Sequence, residues 1–381
     1  MTTALNVYTV DVSDKTTWIW FRLMDGEGRE GVGEATLNNR AKDVLSALAP
    51  AMNALCAARD LGLAGKLQAL RVQTPGLVGR AIASAIEQCW LDLEGKRTGR
   101  PVHALLGGRH RSAIPCYANI NRGTLSRSPQ EFADRAAQAV EDGFTAIKMA
   151  PFDNVTPDAQ DEAERHARLE AGMARIEAVA ERLNGKGRVQ VDCHSRLRAA
   201  EAPAILERLA ASGVGWFEEP ILETQAAFPQ IAELRRLAKQ HGIVLAGAEQ
   251  AAGLGEFAPF CHARCYDVIM PDIILAGGPG EVVRIGHLAA ALGQAVSLHN
   301  PSGPVMDMHS AHVAAAVPEL HSLERQFRES PLYDDLVHRR HTFSQGVYQL
   351  GNDPGHVPGL GLSVDWQASI VAQQFATEIQ L

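Results

Sequence analysis

The stretch that decides the fold runs from Val189 to Pro220: Val189-Gln190-Val191-Asp192-Cys193-His194, then text dominated by Ala, Leu, Glu and Arg, then Gly215-Trp216-Phe217-Glu218-Glu219-Pro220. Each end is a short apolar run closing on a carboxylate, and the middle reads as a helix, so the unit is strand, helix, strand. Working outward, the same rhythm predicts strands at Ile114 to Asn119, Ala146 to Met149, Val189 to Asp192, Gly215 to Glu218, Val244 to Ala248, Val268 to Met270, Ala295 to Leu298 and His321 to Glu324. Eight strands separated by helical text imply a parallel βα array. A closed (β/α)8 barrel accommodates eight, and an open doubly wound sheet is the alternative. No Gly-x-Gly-x-x-Gly follows any of these eight strands, which weakens the dinucleotide-binding form of that alternative.

Active sites of βα barrels lie at the carboxyl ends of the strands, and here those ends carry Lys148, Asp192 with His194, Glu218, Glu249, Asp272, His299 and Glu324. From Asp192 onward the spacing is 23 to 31 residues, about one βα unit. Asp192, Glu218 and Glu249 end three consecutive strands and should converge near the barrel axis. Unpaired, they would repel and raise one another's pKa; a divalent cation makes the arrangement favourable, and an all-oxygen set suits Mg2+. The competing reading is that each carboxylate caps a helix or pairs with an arginine. Strand alternation turns Glu219 away from Glu218 and makes it the poorer ligand. Asp272 and His299 end adjacent strands, so the carboxylate can orient the imidazole as a general base. His194, two residues beyond Asp192, is expected on the same face by the period of two.

Before the barrel, residues 4 to 37 read as a strand meander with a turn at Asp25-Gly26, and Ala41 to Lys96 reads as helical with one break at Thr74-Pro75-Gly76. The expected organisation is an α+β capping domain over 1–110, a (β/α)8-type barrel over 111–330, and a segment 331–381 returning to the cap, where Pro358-Gly359-Leu360-Gly361 and Val364-Asp365 resemble a closing loop and strand. With 46% hydrophobic and 21% charged residues the chain can bury large cores, which excludes wholesale disorder. A net charge of -8 offers nothing to a polyanion, so nucleic acid is not an expected partner. No apolar stretch reaches the roughly 20 residues that cross a bilayer, and no apolar leader follows Met1, so a soluble cytoplasmic protein is expected. Of six scattered cysteines only Cys261 and Cys265 lie close together, without the second pair that a zinc site needs; packed thiols are the reading preferred.

Taken together, Lys148-Met149-Ala150, Asp192 with Glu218-Glu219-Pro220, Glu249, Pro271-Asp272 with Gly277-Gly278, His299 and Leu323-Glu324 resemble the enolase superfamily in its mandelate-racemase-like branch. Gly31-Val32-Gly33-Glu34, Pro101-Val102 and Leu105-Leu106-Gly107-Gly108 extend the resemblance over nearly the whole chain. Racemases of that branch carry Lys-x-Lys on the second barrel strand, whereas Ala150 takes the second position here. Asp192-Cys193-His194 and His299-Asn300-Pro301-Ser302-Gly303-Pro304 are similar to signatures of galactonate-dehydratase-like acid-sugar dehydratases, although those typically have Asn where Ala150 stands.

The resemblance implies a Mg2+-dependent dehydratase of a small-molecule sugar acid, an aldonate or aldarate. Asp192, Glu218 and Glu249 would hold the metal and His299, oriented by Asp272, would take the proton α to the carboxylate. His194 would protonate the departing 3-hydroxyl, while Lys148 and Glu324 contact the developing charge. A homo-oligomer is the expected assembly, and capping loops near Asp14 to Thr17 and Thr36 to Lys42 would select the substrate. The runner-up is a cycloisomerase or epimerase with Lys148 as a second acid/base. A Schiff-base aldolase using Lys148 as nucleophile would leave the three carboxylates without a purpose, and a metal-binding scaffold without catalysis is the remaining alternative.

Overall fold

A parallel strand sheltered on both faces reads as a continuous apolar run, and the eight such runs form eight strands in sequence order. The computed structural model describes residues 2–351 and 357–381; Met1 of the expected capping domain and 352–356 of the C-terminal segment lie outside them. The chain opens with β1 (Thr2–Asp11), β2 (Thr17–Met24) and β3 (Glu30–Glu34), an antiparallel meander. The barrel follows: β4 (Ala113–Asn119), β5 (Ala146–Met149), β6 (Arg188–Asp192), β7 (Val214–Glu218), β8 (Val244–Gly247), β9 (Val268–Ile269), β10 (Ala295–Leu298) and β11 (Leu320–Gln326). Each pairs in parallel with the next, and β11 closes on β4 with Leu323 opposite Cys116, which excludes the open sheet.

Between meander and barrel the helical text forms three helices, Ala41–Ala57, Leu63–Gln73 and Leu77–Thr98. The expected single break is therefore corrected to two. The additional one lies between Ala57 and Leu63, where no proline marks it; Gly62, extended at φ -68° and ψ 169°, starts the next helix. The long helix Leu77–Thr98 packs close to β3. A Cβ on Gly31 would meet the Cys89 carbonyl oxygen at 2.0 Å, and one on Gly33 the Ala85 carbonyl oxygen at 2.3 Å, which is why that strand reads Gly-Val-Gly.

Beyond Pro331 the chain serves both bodies. The strands β12 (Val337–Arg339) and β15 (Leu362–Val364) pair with each other, while the hairpin of β13 (Thr342–Ser344) and β14 (Val347–Gln349) adds antiparallel to β4. The last strand, β16 (Ala372–Gln380), completes the N-terminal sheet along β1. Cys261 and Cys265 are both buried. Among the described residues no helix is long and apolar enough to cross a membrane.

Candidate active site

Register explains the convergence of charge. Asp192 pairs with Glu218 across β6 and β7, so both side chains enter the barrel at one level. Lys148 pairs with Gln190, two residues below Asp192, and therefore also points inward, one layer down. Glu249 follows β8. Oxygens of Asp192, Glu218 and Glu249 lie within 4.8 Å of one another, and all three residues are buried. The Trp216 indole, two residues before Glu218 on the same face, donates to Glu218 Oε2 at 2.7 Å and fixes it from below.

Charge is unevenly compensated here. Lys148 Nζ lies 2.7 Å from Glu218 Oε1, 3.3 Å from Glu324 Oε2 and 3.8 Å from Asp192 Oδ2. Burial favours a neutral amine, yet Glu218 and Glu324 outweigh it and keep Lys148 well above its usual range, so it is a fixed cation. Burial pushes Glu218 up to about 8, with Asp192 and Glu249 adding to the shift and Lys148 opposing it. Glu324 goes the other way: burial is overcome by Lys148 and His299, with hydrogen bonds from Asn119 and the Asn300 amide, and it is held at about 2. Asp192 is likewise held below the usual carboxylate range, His194 and Lys148 overcoming its burial.

The two histidines reach this centre by different routes. His299 Nδ1 is 2.9 Å from Asp272 Oδ2, and Nε2 is 3.2 Å from Glu249 Oε2. Burial resists the charge on its ring, but Glu249 and the Asp272 hydrogen bond raise it to about 10. The other oxygen of Asp272 accepts from the Ile274 and Leu275 amides, which fixes the carboxylate. His194 does not continue the strand, which ends at Asp192, so the period-of-two argument is corrected. Its backbone is left-handed at φ 47°, and it turns back so that its amide donates to Asp192 Oδ1 at 3.0 Å while Nε2 lies 3.0 Å from Oδ2. Asp192 is the main influence raising it to about 9, against burial, and the ring stays 44% exposed to the cavity. Left-handed non-glycine residues are costly and cluster at functional sites. Glu219, at φ 39°, lies outside the three-carboxylate group and accepts from the Glu249 amide at 3.1 Å.

The donor set fits a hard divalent cation. Lys148 pairs with two of the three buried carboxylates, Asp192 and Glu218, Glu218 is driven toward protonation, and the buried Glu249 Oε2, 3.2 Å from His299 Nε2, has no well-aligned hydrogen bond. A cation among these oxygens would relieve all three conditions at once.

A cavity of about 430 Å³ lies over the group, lined by Lys148, Asp192, His194, Glu249 and His299 from the barrel and by Asn38 of the capping loop. A neighbouring cavity of about 670 Å³ shares Asp192, His194, Asn121 and Arg122 with it and takes in Asp14, Lys15 and Thr16. Sequence reasoning missed Asn119, Tyr117 and Asn300, which hold Glu324, and Arg122, which lines both cavities. Asn119 ends the first barrel strand, so its position was a readable signal; being uncharged, it was passed over.

A closed βα barrel with a three-carboxylate group beside a carboxylate-bound imidazole, roofed by an α+β cap, defines the class of enolase-type barrel enzymes, which use a divalent metal. The chain belongs to the mandelate racemase/muconate lactonizing enzyme family: residues 131–368 match the enolase C-terminal domain-like family and residues 5–107 the mandelate racemase/muconate lactonizing enzyme N-terminal domain. Among its relatives, a D-xylonate dehydratase of Haloferax volcanii is 27% identical, covering 95% of this chain and 87% of that protein. A D-galactonate dehydratase of Verminephrobacter eiseniae is also 27% identical, covering 78% and 75%. The crystal structure of a mandelate racemase/muconate lactonizing enzyme from Sulfitobacter sp. shares the fold at a TM-score of 0.79 and 24% identity, covering 95% of this chain and 92% of that one.

Proposed function

We propose that the protein dehydrates a sugar acid, aldonate or aldarate, to a 2-keto-3-deoxy acid with Mg2+ held by Asp192, Glu218 and Glu249. The observation that carries this reading is the placement of two imidazoles against one carboxylate group, His299 backed by Asp272 and His194 turned onto Asp192. A single base exchanges a proton; a base with a second, exposed imidazole can also expel a hydroxyl. The metal, when bound, would offset the charge of the substrate carboxylate and of the enediolate formed from it.

His299 Nε2 takes the α proton, and Asp272 on Nδ1 stabilises the imidazolium that results. Glu249 leads the groups that raise His299, ahead of Asp272 and Glu324, so a cation held by Glu249 would weaken the largest of these influences and favour the ring as a base. His194 gives its proton to the 3-hydroxyl, which leaves as water; the enol then takes a proton at C3 and loses the proton of its 2-hydroxyl, which completes the keto acid. Lys148 and Glu324 remain paired beneath the carboxylates as fixed charge. A lysine held charged by three carboxylates is a poor second base, which disfavours the epimerase reading. The relatives named as acid-sugar dehydratases support the same reaction class. The test is a panel of aldonates and aldarates assayed for keto-acid release with Mg2+ and with EDTA. Release from at least one acid, lost with EDTA and restored by Mg2+, is expected; α-proton exchange or epimer formation without keto acid across the panel would refute it.

A further inference from the structure

Asp272 and His299 each open a rim loop, 272–278 after β9 and 299–303 after β10. Buried loop backbone needs partners, and on both loops the cap supplies them. Three alternate carbonyls of the first loop each receive one side-chain donor from the cap. Ser84 Oγ donates to Ile273 O at 2.7 Å, Arg80 Nε to Leu275 O at 2.9 Å and an Arg71 guanidinium nitrogen to Gly277 O at 2.5 Å. Arg80, Ser84 and Glu87 lie three and four residues apart on one face of helix Leu77–Thr98. Glu87 accepts the Gly280 amide at 3.1 Å, and a Cβ on Gly278 would meet its Oε2 at 1.9 Å, so the Gly277-Gly278 pair is the imprint of this seam.

The second loop is tied to the same device. The Glu34 carboxylate accepts the Gly303 amide at 2.7 Å and the Met306 amide at 2.9 Å, where helix Pro304–Ala316 begins. Gln88 joins the two anchors: its amide nitrogen donates to Ser84 Oγ at 3.0 Å and Glu34 O at 3.1 Å, and its oxygen accepts the Glu34 amide at 3.0 Å. Glu34, Ser84 and Gln88 are fully buried. Displacing the first loop displaces the Ile274 and Leu275 amides that hold Asp272 Oδ1, and with them the angle at which Oδ2 meets His299.

We propose that Ser84, Arg80 and Glu34 are positioning residues, through which the cap sets the geometry of the Asp272–His299 pair. The inference rests on the reading of that pair as the group that takes the α proton.

Kinetics of Ser84→Ala, Arg80→Met and Arg80→Lys, with NMR of histidine-labelled protein, test it. Ser84→Ala and Arg80→Met are expected to lower kcat for both α-proton exchange and keto-acid release about 10- to 100-fold. KM and Mg2+ affinity should stay within about twofold, and Arg80→Lys should recover most of the loss. The downfield Nδ1 proton of His299, identified by its loss in His299→Asn, should shift or broaden in Ser84→Ala. Unchanged kcat with an unchanged resonance overturns the proposal, as does raised KM at unchanged kcat, which would make these contacts part of substrate binding. Should Ser84→Ala not fold, the half-buried Arg80 carries the test. A resonance that moves while the wild type dehydrates no sugar acid leaves the positioning intact and refutes the dehydratase reading.

Discussion

Histidine is used in opposite ways at the barrel rim and in the helix behind it. His194 and His299 are raised to about 9 and about 10, whereas burial pushes His309 down to about 4 and His312 well below its usual range. Depth alone does not separate them, since His299, His309 and His312 are all buried. Partners do. His299 faces two carboxylates, while His309 Nε2 meets the Val32 carbonyl and His312 meets the Leu360 carbonyl and other imidazoles, His103 Nδ1 at 3.1 Å among them. A carboxylate repays the desolvation of an imidazolium; a carbonyl or a second histidine does not. The rim is built to hold a proton, and the helix is built to refuse one.

The largest effect that sharpens this contrast comes from removing the rim's negative charge. Glu218→Gln and Glu249→Gln should each abolish Mg2+-dependent turnover, a loss of about a thousandfold or more, with the circular dichroism spectrum unchanged, because charge is lost and volume is not. Isothermal titration showing wild-type Mg2+ affinity in both variants would defeat the metal assignment.

Next comes the base. His299→Asn should lower α-proton exchange and product formation together, by about 10²- to 10⁴-fold, whereas Asp272→Asn should leave a measurable residue of each. Exchange retained in His299→Asn would move the base to Lys148 and revive the isomerase reading. A smaller and more selective effect is expected at His194, where His194→Asn should still exchange the α proton in deuterated water while releasing little keto acid. Dehydration at the wild-type rate would end its role as the acid.

The smallest effect belongs to the helix. An imidazole whose folded pKa is depressed leaves the unfolded chain holding more protons between about pH 6.5 and 4, so stability is full above that window and falls as pH falls through it. Between pH 7 and 5, His309 alone should cost about 2 kcal/mol. Urea unfolding of the wild type and His309→Gln at both pH values checks this, and equal losses in the two proteins would show that the ring titrates normally.

How much of this was legible follows from how each residue reaches its place. The eight barrel strands and the ionisable residue at the end of most of them are local patterns, written as an apolar run and its terminus, and strand periodicity carries Asp192 and Glu218 to one level without further information. The break between Ala57 and Leu63 was hidden because a single glycine in alanine-rich text looks tolerable inside a helix. His194 reaches Asp192 through a left-handed turn that strand alternation cannot foresee. The sequence by itself therefore determined the barrel, the three-carboxylate rim and the Asp272–His299 pair. Only the tertiary structure decided that Glu34 would anchor a helix 269 residues downstream, that Ser84 would hold the loop beside Asp272, and that Lys148 would be locked among three carboxylates. Those contacts join segments that no local period relates, and they exist only once barrel and cap have closed over the same buried polar groups.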